Sequence, residues 1–150
     1  QIKILLAFVL SGNPNFVKDA KNKLWLTCKY YEKEIKEQGL NLTSTPGNDL
    51  IATTILGCIG CQLVLFTTGR GTPFGGFIPT VKVATNTLMA NKKENWIDFN
   101  AGVLAKQREM DGVLSDFIDL ICDIASGKTQ TKNEINGFRE ISIFKDGVVL

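Results

Sequence analysis

The segment Phe66-Thr67-Thr68-Gly69-Arg70-Gly71-Thr72-Pro73-Phe74-Gly75-Gly76 constrains this chain more than any other. It follows an apolar strand-like run at 62–66 and precedes a second at 80–84. Glycine lets a backbone turn at positive φ and approach a ligand closely. Arginine offers a planar fork that matches a carboxylate or phosphate. A loop of this composition at the carboxyl end of a strand lies where open α/β sheets bind small molecules. The segment therefore reads as an oxyanion-binding loop between two buried strands.

The elements on either side suit such a sheet. Residues 2–10 are apolar and read as a strand; Lys3 interrupts them, and they are far too short for a membrane span. No small-residue cleavage site follows them, so the expected setting is cytoplasmic. Asn13-Pro14 has the form of a helix start. Val17, Ala20, Leu24, Cys28, Tyr31 and Ile35 then recur at spacings of three and four, one apolar stripe on a helix over 14–38 that Gly39 ends. That stripe suits either core packing or a homo-oligomer contact. Residues 40–44 read as a short strand and 45–49 as a turn, with Asn48 or Asp49 capping a helix over 50–59. The apolar run 62–67 suits a central strand buried on both faces. Residues 80–85 form the next strand, 86–95 are polar and irregular, and 96–102 resume order. Met110, Leu114, Phe117, Ile121 and Ile124 mark a second amphipathic helix, stopped by Gly127. Residues 128–137 read as a polar loop, and 140–144 with 148–150 as a strand pair around Lys145-Asp146-Gly147. Alternating strands and helices imply an α/β class: a layered α/β/α domain with a largely parallel central sheet, Rossmann-like. A length of 150 residues suits one domain; the family resemblance given below divides it into a domain over 39–150 and a 1–38 segment packed on it.

Charge and cysteine usage exclude several functions. A net charge of +2, with its lysines in small clusters such as Lys92-Lys93, provides no nucleic-acid footprint. The chain has no histidine, which excludes a Ser-His-Asp or Cys-His nucleophile system contained within it. Of the four cysteines, Cys58 and Cys61 form one CxxC without the second pair or histidines that zinc requires. They read chiefly as core thiols.

The residues able to carry chemistry cluster around the loop. Arg70, flanked by glycines and by the hydroxyls of Thr67, Thr68 and Thr72, suits either an anion or the anchoring of the loop itself. The segment lacks the Gly-Lys-Ser/Thr ending of a phosphate-binding P-loop, and a strand rather than a helix follows it, which disfavours a nucleotide. Lys82 alternates with Val81 and Val83, so it either snorkels at an edge or points at a site. Asn86 serves either the same rim or a turn. Asp98 and Asn100 share one face of the 96–100 run. Together they suit sugar hydroxyls; Asp98 alone suits a general base or a cap.

Five further stretches carry a family resemblance. They are Gly39-Leu40-Asn41-Leu42, Pro46-Gly47-Asn48-Asp49, Val64 through Pro73, Pro79-Thr80-Val81-Lys82-Val83-Ala84-Thr85-Asn86 and Trp96-Ile97-Asp98-Phe99-Asn100-Ala101-Gly102, followed by the ending Phe138-Arg139-Glu140-Ile141 to Gly147-Val148. In this order they resemble the carboxy-terminal domain of the altronate/galactarate dehydratase family, which also holds sulfolactate sulfo-lyase. The resemblance covers residues 39–150, and Cys61 falls where members often carry cysteine. It implies a hydro-lyase of hexuronate breakdown that converts D-altronate to 2-dehydro-3-deoxy-D-gluconate, with galactarate as the alternative substrate. It implies ferrous iron, with ligands outside this chain, and partner amino-terminal and middle domains ahead of it. This domain would then supply a substrate-binding wall: Arg70 for the carboxylate, and Thr68, Thr72, Lys82, Asn86 and Asp98 for hydroxyls or water. A free-standing sugar-acid-binding or subunit-interaction domain is the non-catalytic alternative.

Overall fold

A computed structural model describes residues 26–28, 41–43, 48–106 and 109–143. The strand expected at 2–10, most of the helix expected at 14–38 and the closing strand at 148–150 lie outside the described residues. Within the 14–38 stretch, Leu26–Cys28 is a strand, β1, and not helix; it pairs in parallel with β2, Asn41–Thr43. The Cys28 position therefore belongs to a ladder. A stripe spaced at three and four residues cannot report a partner strand that lies far along the chain. β2 falls within the strand expected at 40–44.

Helix α1 spans Asp49–Cys58. Its cap is Asn48, whose Oδ1 accepts from the N–H groups of Leu50 and Ile51 at 3.1 and 3.2 Å; Asp49 sits inside the first turn. Ile51, Ile55, Leu56 and Ile59 pack with Cys61 and Val64, and with Phe66 and Ile78 at the margin. Thr53 and Thr54 are buried in the same helix without cost, because their hydroxyls donate back to the carbonyls of Asp49 and Leu50 at 2.8 and 2.7 Å.

The main sheet is α/β in character and wholly parallel. Its strands are β3, Val64–Thr68, β4, Thr80–Ala84, and β5, Phe99–Asn100, in the order β3-β4-β5. The strand buried throughout is β4, not β3, which lies at an edge of these three and is only partly buried. An apolar run shows that a strand is covered, but only the pairing order decides which strand is central.

Parallel neighbours require a crossover, usually a helix. Between β3 and β4 the crossover is the glycine-rich segment itself. Thr68 ends β3 opposite Ala84, and β4 starts at Thr80 opposite Val64. Residues 69–79 must therefore travel back along the sheet within one loop. The oxyanion loop expected over 67–76 is thus two things: a turn at the carboxyl edge and a return strap. Gly76 on the strap makes a parallel bridge with Glu140, and the N–H of Glu140 donates to Gly75 O at 2.8 Å. The described part of the expected hairpin at 140–144 is this bridge, with 144–150 outside the described residues.

The β4–β5 crossover carries a helix where an irregular segment was expected. Asn86 caps α2, Thr87–Lys92, accepting from Met89 N at 2.8 Å. Ala84, Met89, Ala90 and Ile97 form its small core. A 3₁₀ helix, Ala101–Lys106, follows β5. Helix α3, Met110–Ala125, covers Val81, Val83 and Leu63 with Phe117, Leu120, Ile121 and Ile124. Its buried stripe is rotated from the expected one: Val113 is inside, while Met110 and Leu114 are exposed. The polar loop expected at 128–137 contains α4, Lys132–Ile135, opened by a Thr131/Glu134 capping box. No helix among the described residues is long and apolar enough to cross a membrane.

At Gly102 a Cβ would lie 2.4 Å from both Asn86 Cα and Thr87 N, so the first turn of the 3₁₀ helix touches the start of α2 backbone to backbone. Gly102→Ala is expected to destabilise the domain by roughly 1–3 kcal/mol, as overpacking against backbone does. Urea unfolding checks this, with wild-type stability as the contrary result.

Candidate functional site

At the carboxyl edge of β3 and β4, the turn over 69–73 is held almost entirely by its carbonyls. Asn86 Nδ2 donates to Gly69 O at 3.0 Å. Lys93 Nζ donates to Arg70 O at 2.6 Å and Gly71 O at 3.3 Å. Lys82 Nζ donates to Pro73 O at 3.1 Å. Two threonine hydroxyls complete the turn as acceptors: Thr68 Oγ1 takes Gly71 N at 2.9 Å, and Thr72 Oγ1 takes Phe74 N at 3.4 Å. The guanidinium of Arg70 is exposed, and no described residue accepts a hydrogen bond from it.

Each residue expected at the site has a definite place. Thr68, Arg70 and Thr72 lie together on the turn. Both threonine hydroxyls accept from backbone, which leaves each O–H free to donate. Asn86 is close to them, but both ends of its amide are engaged: it holds Gly69 O and caps α2. Lys82 is 0% exposed and lies beneath the return strap instead of on the rim. Burial pushes its ammonium below the usual lysine pKa, and the charges of Asp98 and Glu140 oppose that shift.

Asp98 and Asn100 do not converge. Asp98 Oδ2 accepts from Lys82 N and Oδ1 from Lys132 N, both at 2.7 Å. Asn100 bonds Thr87 Oγ1 and the N–H of Gly102. The Asp98 carboxylate is therefore a bracket joining the middle of β4 to the first residue of α4. Burial raises its pKa; the two backbone hydrogen bonds and the charges of Lys82 and Lys132 act the other way. Strand alternation was the wrong guide here, because the strand begins only at Phe99.

Lys93 and Lys132 hold the surroundings of the turn and of Asp98, and pattern reading missed both. Lys93 lies in the stretch expected to be irregular, although Asn86 followed by a short apolar-polar run was a cap signal. Lys132 gives Asp98 its backbone N–H, which its residue type cannot advertise, while its ammonium donates to Glu94 O at 3.0 Å.

Of the two expected core thiols, only Cys61 is buried; Cys58, at the end of α1, is exposed. Cys61 is buried and its thiol is pushed up to about 11 by desolvation, whereas Cys58 and Cys122 are exposed and free. No three His, Cys, Asp or Glu side chains among the described residues could hold a metal ion. The described residues therefore do not fit the ferrous iron implied by the resemblance.

The sequence matches the family model described as D-galactarate/Altronate dehydratase, C-terminal, over residues 15–149. The chain belongs to this family. The match starts ahead of residue 39, where the sequence motifs begin. Altronate dehydratase of Escherichia coli (strain K12) is 57% identical over 120 residues, covering 80% of this chain and 24% of that protein. Altronate dehydratase of Bacillus subtilis (strain 168) is 54% identical over 121 residues, with the same coverage. Galactarate dehydratase (L-threo-forming) of Escherichia coli (strain K12) is 34% identical over 116 residues, covering 75% of this chain and 22% of that protein. The chain thus spans about a quarter of the length of these relatives.

Two predictions follow from Asp98 and Lys82. Asp98→Ala removes the acceptor for two backbone N–H groups and is expected to cost roughly 2–4 kcal/mol, read by chemical denaturation. A loss below about 1 kcal/mol, the worth of a single ordinary hydrogen bond, would show that the bracket is dispensable. Lys82 has a folded-state pKa below the ordinary 10.5, so the unfolded chain binds its proton more tightly. Its destabilising contribution is complete below the lowered pKa and is relieved as pH rises through that value toward 10.5. Stability of the wild type relative to Lys82→Met is therefore expected to rise across that alkaline window, and a pH-independent difference is the contrary result.

Proposed function

We propose that this chain is the carboxy-terminal part of a hydro-lyase of hexuronate catabolism that dehydrates D-altronate to 2-dehydro-3-deoxy-D-gluconate. Its turn over 68–72 forms one wall of the substrate site. Family membership supports the hydro-lyase class, and the higher identity to the two altronate dehydratases than to the galactarate dehydratase favours altronate. One structural observation carries the wall assignment: Arg70 presents a free guanidinium from a turn whose Gly69, Arg70, Gly71 and Pro73 carbonyls are held by Asn86, Lys93 and Lys82.

In such a dehydration the proton beside the carboxylate is removed, the 3-hydroxyl departs as water, and the resulting enol becomes the 2-ketone. Negative charge spreads onto the carboxylate as the proton leaves. A guanidinium paired with that carboxylate stabilises the charge and orients the reacting carbon. Thr68 and Thr72 have O–H groups free to donate to sugar hydroxyls. Asn86, Lys82 and Asp98 act from behind, holding the turn and the strand it leaves. The base, and the ferrous iron implied by the family, belong in this reading to the rest of the longer enzyme, which also supplies the opposite wall.

Arg70→Ala in the full-length enzyme is expected to lower kcat/KM for D-altronate about 100-fold, mostly through KM, with Arg70→Lys intermediate. The measurement is formation of the 2-keto-3-deoxy acid under anaerobic conditions with ferrous iron, with galactarate run in parallel. Unchanged kinetics in Arg70→Ala would remove the carboxylate role. Faster turnover of galactarate than of altronate would move the substrate assignment to that acid.

A further inference from the structure

We infer that Lys93 is the positioning residue of this site: its ammonium fixes two successive carbonyls of the turn and thereby sets the direction of Arg70. This rests on the reading of the turn over 68–72 as a carboxylate site. Lys93 Nζ donates to Arg70 O at 2.6 Å and to Gly71 O at 3.3 Å, and lies 5.0 Å from the ring centroid of Trp96. One cation thus holds two adjacent peptides and rests on an aromatic face, three attractions that share one charge.

The glycine beside Arg70 is what admits this lysine. Gly71 has φ +73°, a left-handed conformation that lets neighbouring carbonyls turn toward one cation. A Cβ there would lie 2.8 Å from Lys93 Cδ and 3.0 Å from Met89 Sδ. The aliphatic stem of Lys93 therefore packs against the bare Cα of Gly71. Gly71 thus lets the turn sit down on a lysine from α2's C-terminal end.

The electrostatic result is a one-sided turn. A trans peptide points its N–H away from its C=O. With Gly69 O on Asn86 and Gly71 O on Lys93, the N–H groups of Arg70 and Thr72 are aimed the other way. Neither donates to a described residue. The carbonyl ends of these dipoles are neutralised from behind, and the outward side offers two N–H groups beside a guanidinium. That arrangement favours an anion over a cation or a neutral sugar. Lys93 touches no substrate in this scheme; it acts through Arg70 and the turn.

The test uses the full-length enzyme with Lys93→Met, which keeps the stem against Gly71 and Trp96 but removes the donors and the charge. Trypsin supplies a readout independent of activity, because Arg70 is itself a cleavage point. The Lys93→Met enzyme is expected to be nicked after Arg70 at least several-fold faster than wild type, with the site assigned by mass spectrometry and the melting temperature held. KM for the sugar acid is expected to rise about tenfold with kcat within about twofold, the split of a group that positions binding. A nick rate equal to wild type overturns the inference. A faster nick with unchanged KM, in a background where Arg70→Ala raises KM, also overturns it while leaving the carboxylate site intact. Unchanged KM in Arg70→Ala removes the carboxylate reading and this inference together.

Discussion

The return of the chain from the end of β3 to the start of β4 shapes most of what surrounds it. Two parallel strands of five residues each are joined by residues 69–79 and no helix, so the segment must cross back over roughly 16 Å of sheet. Polar backbone laid over a sheet needs partners. The partners are specific: Lys82 reaches Pro73 O, Glu140 N reaches Gly75 O, and Thr80 Oγ1 accepts from Gly76 N at 3.2 Å. Asn133, also buried, takes Thr80 N on its Oδ1 and gives its amide to Phe138 O. The tail of the described chain is thus recruited to satisfy a strap that the sheet alone could not.

The same constraint explains a lysine in the most buried strand. An ammonium at 0% exposure is costly unless it is bonded and near opposite charge. Lys82 has the Pro73 carbonyl within reach and Asp98 and Glu140 as nearby charges. Asp98 in turn is tolerated because both oxygens accept backbone N–H groups. Neither group is free to wander, and each lessens the burial penalty of the other. Charge here tethers strap, strand and α4 together; it does not act as an exposed binding surface.

What the strap leaves at the carboxyl edge is a short turn with its acceptors facing inward. Asn86 and Lys93, from opposite ends of α2, hold that turn from behind. The groups left free to donate are the Arg70 guanidinium and the threonine O–H groups. A surface of donors with its carbonyls withdrawn suits a carboxylate, the common feature of the acids in the names of this chain's relatives. The function proposed above depends on this asymmetry more than on any single side chain.

Much of this was legible in the residue order. Periodicity and turn chemistry located α1, β4 and α3, and placed β3 within a few residues, because burial of alternating or stripe-forming apolar groups is a local property of the chain. Composition marked the 69–76 segment as special, and Arg70 as its charge. The Thr131/Glu134 capping box was present in the sequence and unread. What the sequence could not contain is which carbonyl meets which cation. The burial of Lys82, the bracket at Asp98, the central position of β4 and the pairing of Leu26–Cys28 with Asn41–Thr43 arise from contacts between segments distant along the chain. Local pattern sets which face of an element is apolar; only the three-dimensional pairing decides what charge and backbone lie opposite it, and therefore whether a polar residue binds a ligand or holds the fold.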